Sequence, residues 1–240
     1  MQTAIRNLIY VSLLSCWTIT AYAQSYQSQN FDITRVQVTH HADIAVTVWE
    51  IQVAGKAGAT TPRPAGQMDG APVLGYVFPT SLDPVDVGFG SVDGILALAL
   101  TSHPDFDDTP LWDENGDHKL DNDGIVWHPH WVVLAADKRV KGGLSVVQFK
   151  SAASVVLPPT NPGMPMYMDS PGFAVITNKN SIKVVVPDYR ISNNIQFKYD
   201  GVSAFMRVNT SNPDLPLLGV YEVFSVSSGD LSLPYSVKNP

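Results

Sequence analysis

Along most of this chain apolar side chains recur at every second position in short runs, and no segment sustains a 3.6-residue apolar period. Such alternation turns one face of an extended segment into a core and leaves the other outside. Residues 33–39 and 44–53 flank His40-His41-Ala42-Asp43 and predict a hairpin. In its second arm Ile44, Val46 and Val48 share one parity and Trp49, Ile51 and Val53 the other, so a bulge or burial of both faces is expected. Further strands are predicted over 73–78, 95–101, 125–135, 144–149, 153–157, 173–177, 182–186, 195–198, 204–208 and 220–226. The Gly- and Pro-rich stretches 55–72 and 158–171 predict long loops. Many short strands between turn signals, with no internal repeat, predict an all-β fold. The expected form is a single-domain antiparallel β-sandwich with long loops, over residues 24–240.

One predicted strand carries chemistry. In Ile125-Val-Trp127-His128-Pro129-His130-Trp131-Val132 the period of two sets His128 and His130 on one face and Trp127 and Trp131 on the other. Two imidazoles on one face can grip one metal ion. Pro129 has no amide donor, which places this piece at an edge or a bulge. His103 closes the preceding strand, 95–101. If that strand pairs antiparallel with 125–134, the acidic segment becomes their connection and His103 arrives beside His128. A three-histidine site with Asp105, Asp107 or Asp108 as its acidic neighbour follows, and its donors suit zinc, copper or iron. The alternative is that these histidines hydrogen-bond acidic residues and only hold the loop down.

The connection itself reads Asp113-Glu-Asn115-Gly-Asp117-His118-Lys119-Leu120-Asp121-Asn-Asp123-Gly124. It resembles the calcium loop of EF-hand and dockerin-type proteins over these residues alone. That resemblance implies side-chain oxygens from Asp113, Asn115 and Asp117, the carbonyl of Lys119, and Asp121 directly or through water. His118 stands at the family's turn glycine, where positive φ is wanted. Gly124 stands at the family's bidentate acid, so Asp123 or a distant carboxylate must substitute. The flanks do not read as helices, so a calcium loop between strands is expected. The competing reading is a solvated acidic turn that binds nothing.

Composition changes this picture in three places. Arg6, the apolar stretch 8–20 and Ala21-Tyr22-Ala23 form a secretory signal over residues 1–23, too short and too polar for a convincing membrane span. Periplasmic or secreted localisation is therefore expected, with Gln24 as the mature start. Leu13-Leu14-Ser15-Cys16 resembles a bacterial lipobox, which would instead anchor the chain through Cys16. Cys16 is the only cysteine, so the mature chain is expected to hold together by burial, without disulfides. The formal charge is −7, and eight of the 22 acids fall within 105–123, with Lys119 the only Lys or Arg there. Nucleic acid is an improbable partner for such a surface, and the segment repels itself unless a cation is present.

Met164-Pro-Met166-Tyr-Met168 adds soft thioethers, similar to the methionine motifs of periplasmic copper-handling proteins, although methionines also serve as gap fillers. No nucleophile elbow, phosphate loop or reactive cysteine is present in the mature chain. The expectation is an exported metal-binding protein, stabilised by calcium, with a second histidine-based transition-metal site. Two rival classes stay open. One is a metalloenzyme using His103, His128 and His130. The other is a calcium-dependent carbohydrate-binding or adhesion module stacking sugar on Trp49, Trp112, Trp127 or Trp131. A protein ligand is also unassigned.

Overall fold

The computed structural model describes residues 26–109, 113, 116–119 and 123–239. The expected signal segment 1–23, Cys16 and Trp112 lie outside the described residues. The strands are β1 (Ile33–His41), β2 (Val46–Val53), β3 (Pro72–Pro79), β4 (Ile95–Ser102), β5 (His128–Ala136), β6 (Leu144–Val146), β7 (Met168–Asp169), β8 (Val175–Asn178), β9 (Ser181–Pro187), β10 (Lys198–Tyr199), β11 (Val202–Val208), β12 (Leu218–Val226) and β13 (Tyr235–Ser236). Among the described residues the helical pieces are short 3-10 turns, and no helix is long and apolar enough to cross a membrane.

The all-β expectation holds, but the sandwich is replaced by a barrel. Strands β4-β3-β11-β12-β6-β5 neighbour one another in that order, and β4 also pairs with β5, which closes the ring at six strands. The β4–β5 register runs from Ile95 opposite Leu134 to Thr101 opposite His128. Closing the ring gives both would-be edge strands a partner, which an open sandwich sheet cannot do. A four-stranded sheet, β1-β2-β9-β8, covers one flank of this ring.

Side-chain alternation then divides the apolar residues between two cores. Leu74, Tyr76 and Phe78 of β3, Leu96, Leu98 and Leu100 of β4, and Trp131 and Val133 of β5 turn outward against Val38, Trp49 and Ile51 of the covering sheet. The opposite parity (Val73 and Val77, Ala97 and Ala99, Val132 and Leu134) turns into the ring and meets Ala204, Met206 and Val220 there. Strands β3, β4 and β5 are buried on both faces over most of their length, which explains their near-continuous apolar runs.

Two local expectations need correction. Strand β2 keeps one phase: Thr47, Trp49, Ile51 and Val53 all point inward while Val46 and Val48 stay half-buried on the other face. Thr47 fills the inward position because its hydroxyl accepts the Trp49 indole N–H at 2.8 Å. The irregularity lies across the hairpin, between Ile33 and Arg35. Residues 153–157 form no strand; a 3-10 turn, Ala152–Ser154, precedes a segment held to Gly90 by one backbone bond from its amide to the Val156 carbonyl.

Trp49 is fully buried and meets Phe78 and Trp131 edge-on and Phe197 face-on, with centroids 5.0–5.8 Å apart. It joins the covering sheet to the ring. Trp49→Ala should cost roughly 3–5 kcal/mol, the range for a truncated core aromatic. Urea unfolding monitored by far-UV circular dichroism checks this; a loss below ~1 kcal/mol would show that this contact does not hold the two layers together.

Candidate metal centre

The β4–β5 pairing sets Ala99 opposite His130 and Thr101 opposite His128, so both histidines enter the ring at one end. Pro129 interrupts nothing, because the pairings of β5 with β7 and β6 begin at Trp131 and Leu134. His103 follows β4, and its amide bonds back to the Gly124 carbonyl, which draws the end of the acidic connection against the strand. Of the three acids open at this point, Asp105 accepts the amides of Ala65 and Gly66, and Asp107 accepts the amide of Thr109. Asp108 alone reaches the histidines, and it is buried with them.

His103, Asp108, His128 and His130 each offer one ligand atom, all within 4.8 Å of one another. Asp108 Oδ1 lies 3.3 Å from His103 Nε2, 3.4 Å from His128 Nε2 and 3.3 Å from His130 Nε2. His103 Nε2 and His128 Nε2 are 2.8 Å apart. Around an ion with metal–nitrogen distances near 2.0–2.1 Å, neighbouring donors are spaced by about 2.9–3.4 Å.

The far side of each ring decides what the near side can be. His103 Nδ1 lies 3.0 Å from the Phe106 carbonyl and His128 Nδ1 2.6 Å from the Val126 carbonyl. A carbonyl only accepts, so both Nδ1 atoms carry the proton. The Ser170 hydroxyl donates to the Asp108 carbonyl at 2.6 Å, leaving its oxygen to accept from His130 Nδ1 at 3.1 Å. All three neutral imidazoles therefore aim Nε2 lone pairs inward, an outer shell of the kind that orients metal ligands. Phe106 stacks on His103 at 4.2 Å and fixes that ring's plane. Asp108 Oδ1 and His130 Nε2 are buried and have no hydrogen-bond donor. Two acceptors face each other there, and a single cation would satisfy both.

Burial raises the Asp108 carboxyl pKa, but His130 and His103, in their protonated forms, outweigh it and hold the group well below the usual carboxylate range. For His130, burial lowers the pKa and the Asp108 charge only partly restores it. Calcium does not suit this donor set, since it prefers six to eight oxygens; imidazole with one carboxylate suits zinc, copper or iron.

The acidic loop is a separate place. The Asp113 carboxylate accepts the amides of Gly116, Asp117 and His118 at 2.7–3.0 Å, and Asp117 accepts the amide of Lys119 at 2.9 Å. His118 takes φ 65°, the left-handed value that the turn position wants. Asn115 and Asp121, and the side chain of Asp123, lie outside the described residues. Gly124 has a reason of its own. A Cβ there would collide with the carbonyl oxygens of His103 and Phe106, so the position expected to hold a bidentate acid is a close backbone approach beneath the histidines.

A cavity of about 120 Å³ fills the ring and reaches His103, Asp108 and His130. Met164 and Met168 line it, while Met166 is buried in the same inner core. Trp49, Trp127 and Trp131 are buried, so the sugar-stacking face expected from them is instead core. Sequence reasoning did not find Thr101, Phe106 or Ser170 around the cluster; only Gly124, as a departure from the loop pattern, left a visible trace. The chain matches no protein-family model, no curated protein and no solved structure.

Two outcomes follow. Gly124→Ala should destabilise the protein by roughly 1–3 kcal/mol through overpacking; an unchanged urea midpoint would count against the close approach. In metal-stripped protein, the lowered His130 pKa means the unfolded chain binds a proton first as pH falls below about 6.5. Stability should therefore be highest above that value and drop toward pH 5, with the Asp108 contribution lost only at still lower pH, through its depressed folded value. His130→Gln should flatten the first part of that drop in urea midpoints measured from pH 7.5 to 5.

Proposed function

We propose that this chain is an exported metalloprotein holding one first-row transition-metal ion, zinc, copper or iron, on His103, Asp108, His128 and His130. The carrying observation is the pair of buried acceptors, Asp108 Oδ1 and His130 Nε2, that face each other at 3.3 Å without a donor. A proton on one imidazole would answer one or two of these contacts; a cation at the centre answers all of them. Because the donors are buried and pre-oriented from behind, the ion is resident cargo, not a passing one.

Activity is the second reading, a metalloenzyme, and a specific observation favours it. The cavity reaches three of the four ligand residues, so a bound ion would have one open side, as catalytic metal sites require. Calcium on the 113–124 loop is a separate proposal. It is supported by the curl around the Asp113 carboxylate and the positive φ at His118. Export rests on the signal pattern of residues 1–23.

Elemental analysis of the full chain purified from its native exported compartment, without chelator or affinity tag, tests the reading. The expected result is about one equivalent of zinc, copper or iron per chain. Replacing both His128 and His130 by Ala should abolish it, and Ser170→Ala should weaken it about 10- to 100-fold, as lost outer-shell partners do. Absence of transition metal in the wild type, with the fold intact, would sink the proposal.

A further inference from the structure

The lumen of the ring is polar at one end only. Strand β4 runs its length, with Ile95 lining one end and Thr101 the other, six residues or about 20 Å apart. At the first end Ile95 and Leu231 are 40% and 38% exposed, so the cavity opens to solvent there. Between the ends the wall is apolar, represented by Val73, Ala99, Val132, Ala204 and Met206. At the far end sit Thr101, His103, Asp108 and His130. Among the described residues Asp108 is the only acid on this wall, and no lysine or arginine reaches it.

From this juxtaposition we infer that the lumen binds a small organic monoanion, with one anionic oxygen on the metal and an apolar tail directed toward the Ile95 mouth. The inference rests on the metal reading above. Three neutral imidazoles and one carboxylate leave a divalent ion with one uncompensated positive charge, and an isolated charge in an apolar cavity is costly. Among the described residues no further acid lies on the wall to neutralise it, so an anionic ligand completes the balance. The tail follows from size and polarity. An apolar cavity of about 150 Å³ stays dry and takes benzene, so 120 Å³ suits about five or six carbons. Polyhydroxylated ligands are disfavoured, because Thr101 alone could receive their hydroxyls away from the metal.

Hexanoate is the probe, added to full-length protein loaded with cobalt(II), whose visible bands report its ligands. Metal content is measured first. Hexanoate should shift the cobalt spectrum and bind roughly 250-fold more tightly than acetate, given about a fourfold gain for each of its four additional buried methylenes. Ala99→Leu or Ala204→Leu should fill the lumen, leave one equivalent of cobalt in place and weaken hexanoate at least tenfold while sparing acetate. If both variants fail to fold, the acetate-to-hexanoate ratio on the wild type still decides.

Acetate and hexanoate of equal affinity would overturn the tail in the lumen, and so would a folded Ala99→Leu protein that binds hexanoate unchanged. A silent cobalt spectrum, or equal hexanoate binding by chelator-stripped protein, would overturn the head on the metal. Each of these results leaves the metal reading standing if cobalt loads to one equivalent. Failure to load cobalt, zinc, copper or iron removes both.

Discussion

Two acceptor atoms, Asp108 Oδ1 and His130 Nε2, are forced together in the interior of this protein without a hydrogen-bond partner, beside the Nε2 atoms of His103 and His128. Hydrogen bonds behind His103 and His128 consume their Nδ1 protons, and Ser170 is oriented to consume that of His130. What remains at the centre is the His130 Nε2 lone pair against the Asp108 carboxylate, 3.3 Å apart. Such an arrangement is unfavourable in isolation and favourable around a cation, so the fold that builds it is tied to what it holds. An imidazole kept for packing alone would be expected to donate inward to Asp108 and leave its other nitrogen to water or to a hydroxyl, which the Ser170 contact would allow for His130 but not for His103 or His128. Here the backbone carbonyls are on the wrong side for that.

The architecture follows from the same place. The strand pair that carries the cluster, β4 with β5, is also the pair that closes the ring. Its outward parity meets the covering sheet through Trp131 and Val133, and its inward parity supplies His128, His130, Val132 and Leu134 to the lumen. Because both faces of β5 are buried, the histidines cannot slip register without moving a tryptophan out of the outer core. Precision at the centre is thus inherited from packing on the opposite face of the same strand.

Much of this was legible in local pattern. Period-two alternation is a property of a few residues, so the strands, the shared face of His128 and His130, and the antiparallel return from 95–101 to 125–134 could all be read directly. Closure of the ring could not, because a sandwich and a barrel bury the same alternating strands and differ only in whether the first and last neighbours pair. The choice of Asp108 over Asp105 and Asp107 was equally hidden. It depends on Ser170, 62 residues away, holding the Asp108 carbonyl, and on the 65–66 amides taking Asp105. Val46 and Val48 misled for a different reason. A threonine at 47 counts as polar in a pattern but is buried once a tryptophan donates to its hydroxyl.

Gly124 joins the end of the acidic connection to the buried cluster. Viewed as the last position of a calcium loop, it lacks the expected acid. Viewed from the cluster, it is the point where the returning chain passes so close to His103 and Phe106 that no side chain fits, and its carbonyl accepts the His103 amide. The Phe106 carbonyl at that contact is the one that accepts the His103 Nδ1 proton.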